Sequence, residues 1–379
     1  MTKKIFIAGA GGIGQAAALL LREWSRAETG IFLGDVSQEN LNKARVFVTQ
    51  NSEKSSNVET VLMAKDDSNE AMNTAFETCD VLLDCSPGAQ APRMARFACD
   101  YKMHYANLTE YVAETDEITA MTKNAETGFV LQTGLAPGFV NVLAMSLYGQ
   151  FQGQFDVEKV EKIEMKVGAL TAHAHQPHFY GFTWSPIGVA TEYVKPSRVV
   201  RDYQITELPA LSERETIIIG GRTFEADLTS GGAADLPEFF TGKAKSLDYK
   251  TLRHVGHYDW AQRAIHKFPN DDELPKKVLA KFLQEIPAVE NDFVLVHASV
   301  DGFDAKGTRR MLEKAFFINP LEINGHFLRA IQTTTAAPLC EVAVMLLSGR
   351  YKGVVLQSQL NPANFLSGNF VNRVYKIYS

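Results

Sequence analysis

The sequence predicts an α/β protein in two parts, an N-terminal doubly wound parallel sheet followed by an α+β domain with a mixed or antiparallel sheet. Three observations carry that prediction. Short apolar runs alternate with helix-patterned segments over roughly the first 135 residues, as successive βαβ units require. From TGLAPGFVN onward the runs lengthen, alternate apolar with polar residues and are joined by fewer helical patterns, as antiparallel strands are. The 379-residue length exceeds the size at which one core usually stops growing.

Taken in order, KIFIAG is an apolar run ending in glycine, a buried strand. IGQAAALLLREW has helical apolar spacing, and GIFLGD is a second strand. SQENLNKARVFVTQ opens on a Ser37 cap and continues as a helix. VETVLMA, the helix SNEAMNTAF and the strand CDVLLDCSPG follow. PRMARFACDYK is a helix with Pro92 in its first turn, and HYANLT, DEITAMTKNAE and GFVLQTG read as strand, helix and strand. A helix from about Val140 to Gln150 leads into KIEMKVGAL, ETIIIGG, TFEADLTS and NDFVLVHASVDG, with a hairpin turn at Gly220-Gly221. Past about Phe327 the composition turns helical again. The expected organisation is residues 1–137 as a dinucleotide domain, 138–327 as a substrate and dimerisation domain, and 328–379 as a segment packing back on the first.

Composition narrows the function. The net charge is −6, which disfavours nucleic acid or an anionic membrane as the main partner. No apolar run approaches the ~20 residues of a membrane span, and the N-terminus has no signal-peptide core, so the expected location is cytoplasmic. Cys79, Cys85, Cys99 and Cys340 show no metal-ligand spacing, and the first three, in apolar or helical contexts, read as reduced core residues. AHAHQPH brings His173, His175 and His178 together, but without a nearby acidic or cysteine partner, so no metal is expected.

GAGGIG supplies Gly9, Gly11 and Gly14 at the spacing of the Rossmann fingerprint, with Gly12 and Ile13 between them. It lies between a strand and a helix, and a second strand ends in Asp35, 21 residues after Gly14. In that context the glycines permit a tight turn and close backbone approach to a pyrophosphate, and the carboxylate accepts hydrogen bonds from the adenosine ribose. No arginine follows in DVSQEN, which favours NAD over NADP; FAD is a further alternative without its usual second motifs. Cys85, Ser86 and Pro87, with Gly134 in the joint between the domains, lie on loops expected at the carboxyl ends of later strands, where the nicotinamide belongs.

LDYKTLRHVGHYDW concentrates Lys250, Arg253, His254 and His257 among aromatics in an acidic chain. Arg253 and Lys250, with Tyr249 beside them, suit a substrate carboxylate, and His257 can titrate near neutrality. The competing account is a solvated strand face with both cations paired to surface acids.

TGLAPGFVN, FTWSPIGVATEY, EADLTSGG and YKTLRHVGH occur in this order after the fingerprint. Together they resemble the saccharopine dehydrogenase-like family, which includes the glutamate-forming saccharopine reductases and lysine 6-dehydrogenase. The resemblance implies a nicotinamide cofactor, oxidation of a C–N bond on a lysine-type amino acid, a homodimer, and contact of Arg253 and Lys250 with substrate carboxylate. Tyr111 matches a tyrosine in a similar loop of the reductases. One departure is Ala136, where the reductases carry an acid. The expected activity is therefore an amino-acid dehydrogenase, with Tyr111 and His257 as candidates for proton transfer. The rival from another class is a non-catalytic dinucleotide sensor on the same fold.

Overall fold

Strand after strand in the first part of the chain is apolar along its whole length, and such strands must be covered on both faces. A computed structural model describes residues 2–51 and 58–377. The first unit contains β1 (Lys3–Ala8), α1 (Gly12–Trp24), β2 (Thr29–Asp35), α2 (Gln38–Thr49), β3 (Val58–Leu62), α3 (Glu70–Phe76), β4 (Val81–Asp84), α4 (Ala91–Asp100), β5 (His104–Asn107), α5 (Val112–Thr122) and β6 (Gly128–Val130). All pair in parallel in the order β3-β2-β1-β4-β5-β6, and a late strand, Gly353–Val355, extends the sheet beside β6. The strand order reverses between β1 and β4, which is where a ligand binds in such sheets, beyond the carboxyl ends.

Local chemistry sets the helix starts. The Ser37 hydroxyl accepts the Asn40 N–H at the head of α2, and the Asn69 side chain accepts the Met72 N–H at the head of α3. Pro92 stands in the first turn of α4. Phe6, Phe76, Leu82, Met94, Tyr105 and Phe129 fill the core on one side of the sheet.

The second unit opens with α6 (Phe139–Phe155). Its strands are β7 (Val160–Leu170), β8 (Ser197–Arg201), β9 (Gln204–Leu208), β10 (Glu215–Ile219), β11 (Arg222–Leu228), β12 (Ala244–Arg253), β13 (Phe293–Phe303) and β14 (Arg309–Ile318). They form one mixed sheet in the order β10-β11-β12-β7-β13-β14, with β8 on β12 and β9 on β8; only β12 and β7 run parallel. Gly220 and Gly221 both take positive φ in the β10–β11 turn, which matches the twist of a two-residue hairpin. α7 (Pro186–Glu192), α8 (Leu236–Phe240), α9 (His257–Ile265) and α10 (Leu274–Glu285) complete it. Tyr180, Tyr193, Tyr258, Trp260 and Phe282 share a second core.

The chain then returns. The hairpin β15 (Leu321–Ile323) and β16 (His326–Leu328), α11 (Ala330–Leu347), the late strand, now β17, α12 (Pro362–Leu366) and α13 (Asn369–Tyr375) finish the fold. By contact the first unit comprises Met1–Phe139, Leu321–Leu328 and Gln332–Ser379, and the second Val140–Pro320 and Arg329–Ile331. The expectation that no apolar run nears a membrane span needs correcting, because α11 is long and apolar enough by length and composition. Ala336, Ala337, Leu339, Cys340, Val342, Ala343 and Leu346 on it are buried within the protein, as in a core helix.

Candidate functional site

The turn between β1 and α1 is built on steric necessity. Gly9 has φ of +98°, and a Cβ there would lie 2.6 Å from the Cys85 carbonyl oxygen. A Cβ on Gly14 would lie 1.8 Å from the Gly9 carbonyl oxygen, so α1 can meet the turn only without a side chain. Gly11 differs: among the described residues nothing comes within 4 Å of a Cβ placed there, and it caps α1 with no side-chain hydrogen bond. An open glycine at an uncapped helix start, followed by Gly12 and Ile13, fits a pyrophosphate received on backbone N–H groups.

Asp35 ends β2 beside this turn. Its Oδ2 accepts the Ala10 N–H at 2.9 Å, and its Oδ1 accepts the Ser37 N–H at 2.8 Å. The carboxylate therefore ties the glycine turn to the start of α2, with lone pairs left for ribose hydroxyls. At the carboxyl end of β4, the Cys85 N–H donates to the Ala8 carbonyl at 2.7 Å, setting Cys85, Ser86 and Pro87 next to the turn. Gly134 receives the Phe139 N–H and donates to the Pro137 carbonyl, closing a tight loop after β6. Tyr111 begins α5, and its ring packs where a Cβ on Gly88 would be, 2.8 Å from that position. Burial first, then Glu110 and Glu114, push its phenol above the usual range. It is a neutral hydroxyl near pH 7, suited to donate a proton and poorly suited to take one.

Three residues that sequence reasoning missed support this site. The Arg93 guanidinium donates to the carbonyls of Ala64, Lys65 and Asp67 and so holds the loop after β3. The Gln332 amide donates to the Gly12 carbonyl at 3.0 Å, although 320 residues separate them. Asp84 is buried at the end of β4, where its carboxylate accepts the Ser86 N–H. Only Asp84 left a trace in the sequence, as an acid closing the apolar run VLLD.

The cations of the second unit require a correction. β12 alternates its side chains, so Tyr249, Thr251 and Arg253 share one face while Lys250 lies on the other. Lys250 and Arg253 therefore do not converge on one carboxylate. Nor is either a solvated surface cation, since both are buried. Lys250 Nζ lies 3.0 Å from Glu215 and donates to the Glu213 carbonyl. Arg253 pairs with Glu192 at 3.0 Å, donates through Nε to the Tyr193 hydroxyl at 2.7 Å, and stacks 4.6 Å from the Tyr180 ring centre. The Tyr249 ring packs against Gly232. The expected carboxylate partner of Arg253 is thus the chain's own Glu192, from the FTWSPIGVATEY segment.

His257 is not on the strand but opens α9, fully buried. Its Nε2 lies 2.9 Å from the Tyr193 hydroxyl and its Nδ1 lies 2.6 Å from the His178 carbonyl. The hydrogen-bond direction follows. The His178 carbonyl can only accept, so Nδ1 carries the proton, Nε2 of the neutral ring is the acceptor, and the Tyr193 hydroxyl, which accepts from Arg253, donates to it. Burial first, then Arg253, hold the imidazole down to about 3. A neutral ring with both nitrogens engaged inside the chain is not placed to exchange protons with a substrate near pH 7. Among the described residues no His, Cys, Asp and Glu group could hold a metal.

A doubly wound sheet with an open glycine turn and an acid ending β2, joined to a mixed-sheet unit, defines a dinucleotide-binding protein of the two-domain dehydrogenase type. Family comparison narrows this. The model of the saccharopine dehydrogenase NADP binding domain matches residues 5–132, and that of the saccharopine dehydrogenase C-terminal domain matches residues 134–370. The chain belongs to the saccharopine dehydrogenase family, and it is a nicotinamide-dinucleotide-dependent oxidoreductase of that family. Among solved structures, apo saccharopine dehydrogenase (L-Glu forming) from Saccharomyces cerevisiae is similar with a TM-score of 0.72 and 14% identity, over 96% of this chain and 95% of that one. Homospermidine synthase from Legionella pneumophila, in complex with NAD, is similar with a TM-score of 0.68 and 11% identity, over 99% and 90%. At these identities the likeness is one of fold.

Proposed function

We propose that the chain is an NAD-dependent dehydrogenase acting at a C–N bond of a lysine-type amino acid. The observation that carries the cofactor choice is Asp35. Its carboxylate sits at the end of β2, hydrogen-bonded to the glycine turn, where it favours ribose hydroxyls and repels a 2′-phosphate. The substrate class rests on the family, which is named for a secondary amine derived from lysine. A nicotinamide dinucleotide held by the Gly9–Gly14 turn and Asp35 would supply the hydride acceptor for the carbon bearing the nitrogen. That carbon releases hydride only when its nitrogen is neutral, so a group must take up or relay a proton. Tyr111 is the candidate relay, a neutral phenol on the loop after β5 that gives its own proton to water as it receives the substrate's and so never carries a net charge. Arg253 and His257 support the second unit from within.

The test is the rise of reduced-nicotinamide absorbance with NAD and a panel of saccharopine, lysine and N-substituted lysines. Turnover of at least one of these amines is expected, with a Tyr111→Phe variant reduced by about 100-fold, in the usual range for an acid–base group. Dinucleotide binding without turnover of any amine would reject the substrate class and favour the sensor reading.

A further inference from the structure

Asp84 is 2% exposed, at the carboxyl end of β4 where the strand order reverses. Burying a carboxylate is costly unless it is fully hydrogen-bonded. Here Oδ1 accepts the Ser86 N–H at 2.9 Å and the Ser86 hydroxyl at 2.5 Å, while Oδ2 accepts the Tyr105 hydroxyl at 2.9 Å. Two of the three donors belong to the turn that carries Cys85, Ser86 and Pro87. That turn touches both halves of the candidate site: the Cys85 carbonyl meets Gly9, and Gly88 meets Thr109 and the Tyr111 ring.

We propose that Asp84 is a positioning residue of the dinucleotide site, its ionised carboxylate holding the Cys85–Gly88 turn against the glycine turn on one side and Tyr111 on the other. This rests on the dinucleotide reading and adds a proton-linked support to it. Both Ser86 donors fall on Oδ1 and are strongest to an ionised carboxylate, whereas the Tyr105 hydroxyl also lies 3.2 Å from the Ala91 carbonyl and has a second acceptor there. Ala8 and Asn107 face Asp84 from the neighbouring strands, and neither titrates. The titratable groups beside it are the Cys85 thiol and the Tyr105 phenol, both kept protonated mainly by burial. Burial lifts Asp84 to about 6, opposed by its bonds from Ser86 and Tyr105. As pH falls through that value the carboxylate gains a proton and loses its charge, the two bonds from Ser86 are no longer charge-assisted, and the turn is held less tightly. Dinucleotide affinity then falls on the acid side.

The experiment is NADH titration of the full chain by fluorescence from about pH 5 to about pH 8, a range that lies above the ordinary carboxyl values and brackets that of Asp84. The unmodified chain should bind more weakly as pH drops through about 6. Asp84→Asn should bind about tenfold more weakly at neutral pH, the loss expected of one hydrogen bond to a charged group, and show no inflection in that range. Ser86→Ala, a milder change should Asp84→Asn not fold, removes a bond to the ionised form and should move the inflection to higher pH. If either folded variant keeps the affinity and pH profile of the unmodified chain, the proposal is overturned. If the unmodified chain binds no NADH at any pH, the dinucleotide reading fails and takes this inference with it. Normal binding with unaltered variants removes the inference alone.

Discussion

Arg253→Ala lowers the stability of the second unit by about 3–5 kcal/mol, the range for breaking a buried ion pair by removing one partner. The substitution removes several interactions at once. Glu192 loses the cation it is bonded to, and the Tyr193 hydroxyl loses its donor. A void opens beside the Tyr180 ring, on which the guanidinium is stacked. Arg253→Lys should recover part of the loss, because an ammonium keeps the charge but not the three-way fork to Glu192, Tyr193 and the Leu252 carbonyl. Denaturant unfolding followed by tryptophan emission reads this directly, since Trp260 lies in the same core. A variant as stable as the unmodified chain, with turnover lost instead, would return Arg253 to substrate binding.

The glycine turn gives the second large effect, and it separates fold from function. Gly11→Ala should leave the melting temperature unchanged, because its φ of −74° suits any residue and the space around it is open. That space is where the pyrophosphate must approach backbone. NADH affinity should therefore fall by more than about tenfold, at least 1.4 kcal/mol. Gly14→Ala should damage both. Its Cβ would meet a backbone oxygen that no rotamer change can move, and forcing atoms into a packed contact costs about 1–3 kcal/mol. Equal losses of stability in the two variants would mean that the turn is structural only. Unchanged NADH affinity in Gly11→Ala would place the cofactor elsewhere.

Much of the first unit was legible because its signals are local. A strand buried on both faces is apolar throughout, a cap such as Ser37 sits beside the helix it starts, and the fingerprint needs its glycines at fixed spacing. β17 was not legible: three residues, Gly353–Val355, join a sheet edge more than 200 positions away in sequence, and so short a run carries no periodicity. The cluster at LDYKTLRHVGHYDW was misread for two reasons. Strand alternation, visible in the sequence, already set Lys250 opposite Arg253. The counter-ions were not visible, because Glu192 precedes Arg253 by 61 positions and lies on a different element. A local excess of positive charge therefore looked like a waiting anion site when it was one half of an internal ion pair. Gln332 and Arg93 escaped for the same reason, since their roles exist only once distant loops are brought together.

The central claim is that the carboxyl end of the first sheet binds NAD with Asp35 on the ribose. The most direct measurement is a paired titration of NADH and NADPH into the unmodified chain and into Asp35→Ala. NADH should bind more tightly to the unmodified chain, and the substitution should weaken NADH while leaving NADPH unchanged or improved, since it removes a hydrogen-bond acceptor from one ligand and a repelling charge from the other. Tighter binding of NADPH than NADH by the unmodified chain, or an Asp35→Ala variant that treats both as the unmodified chain does, would contradict it.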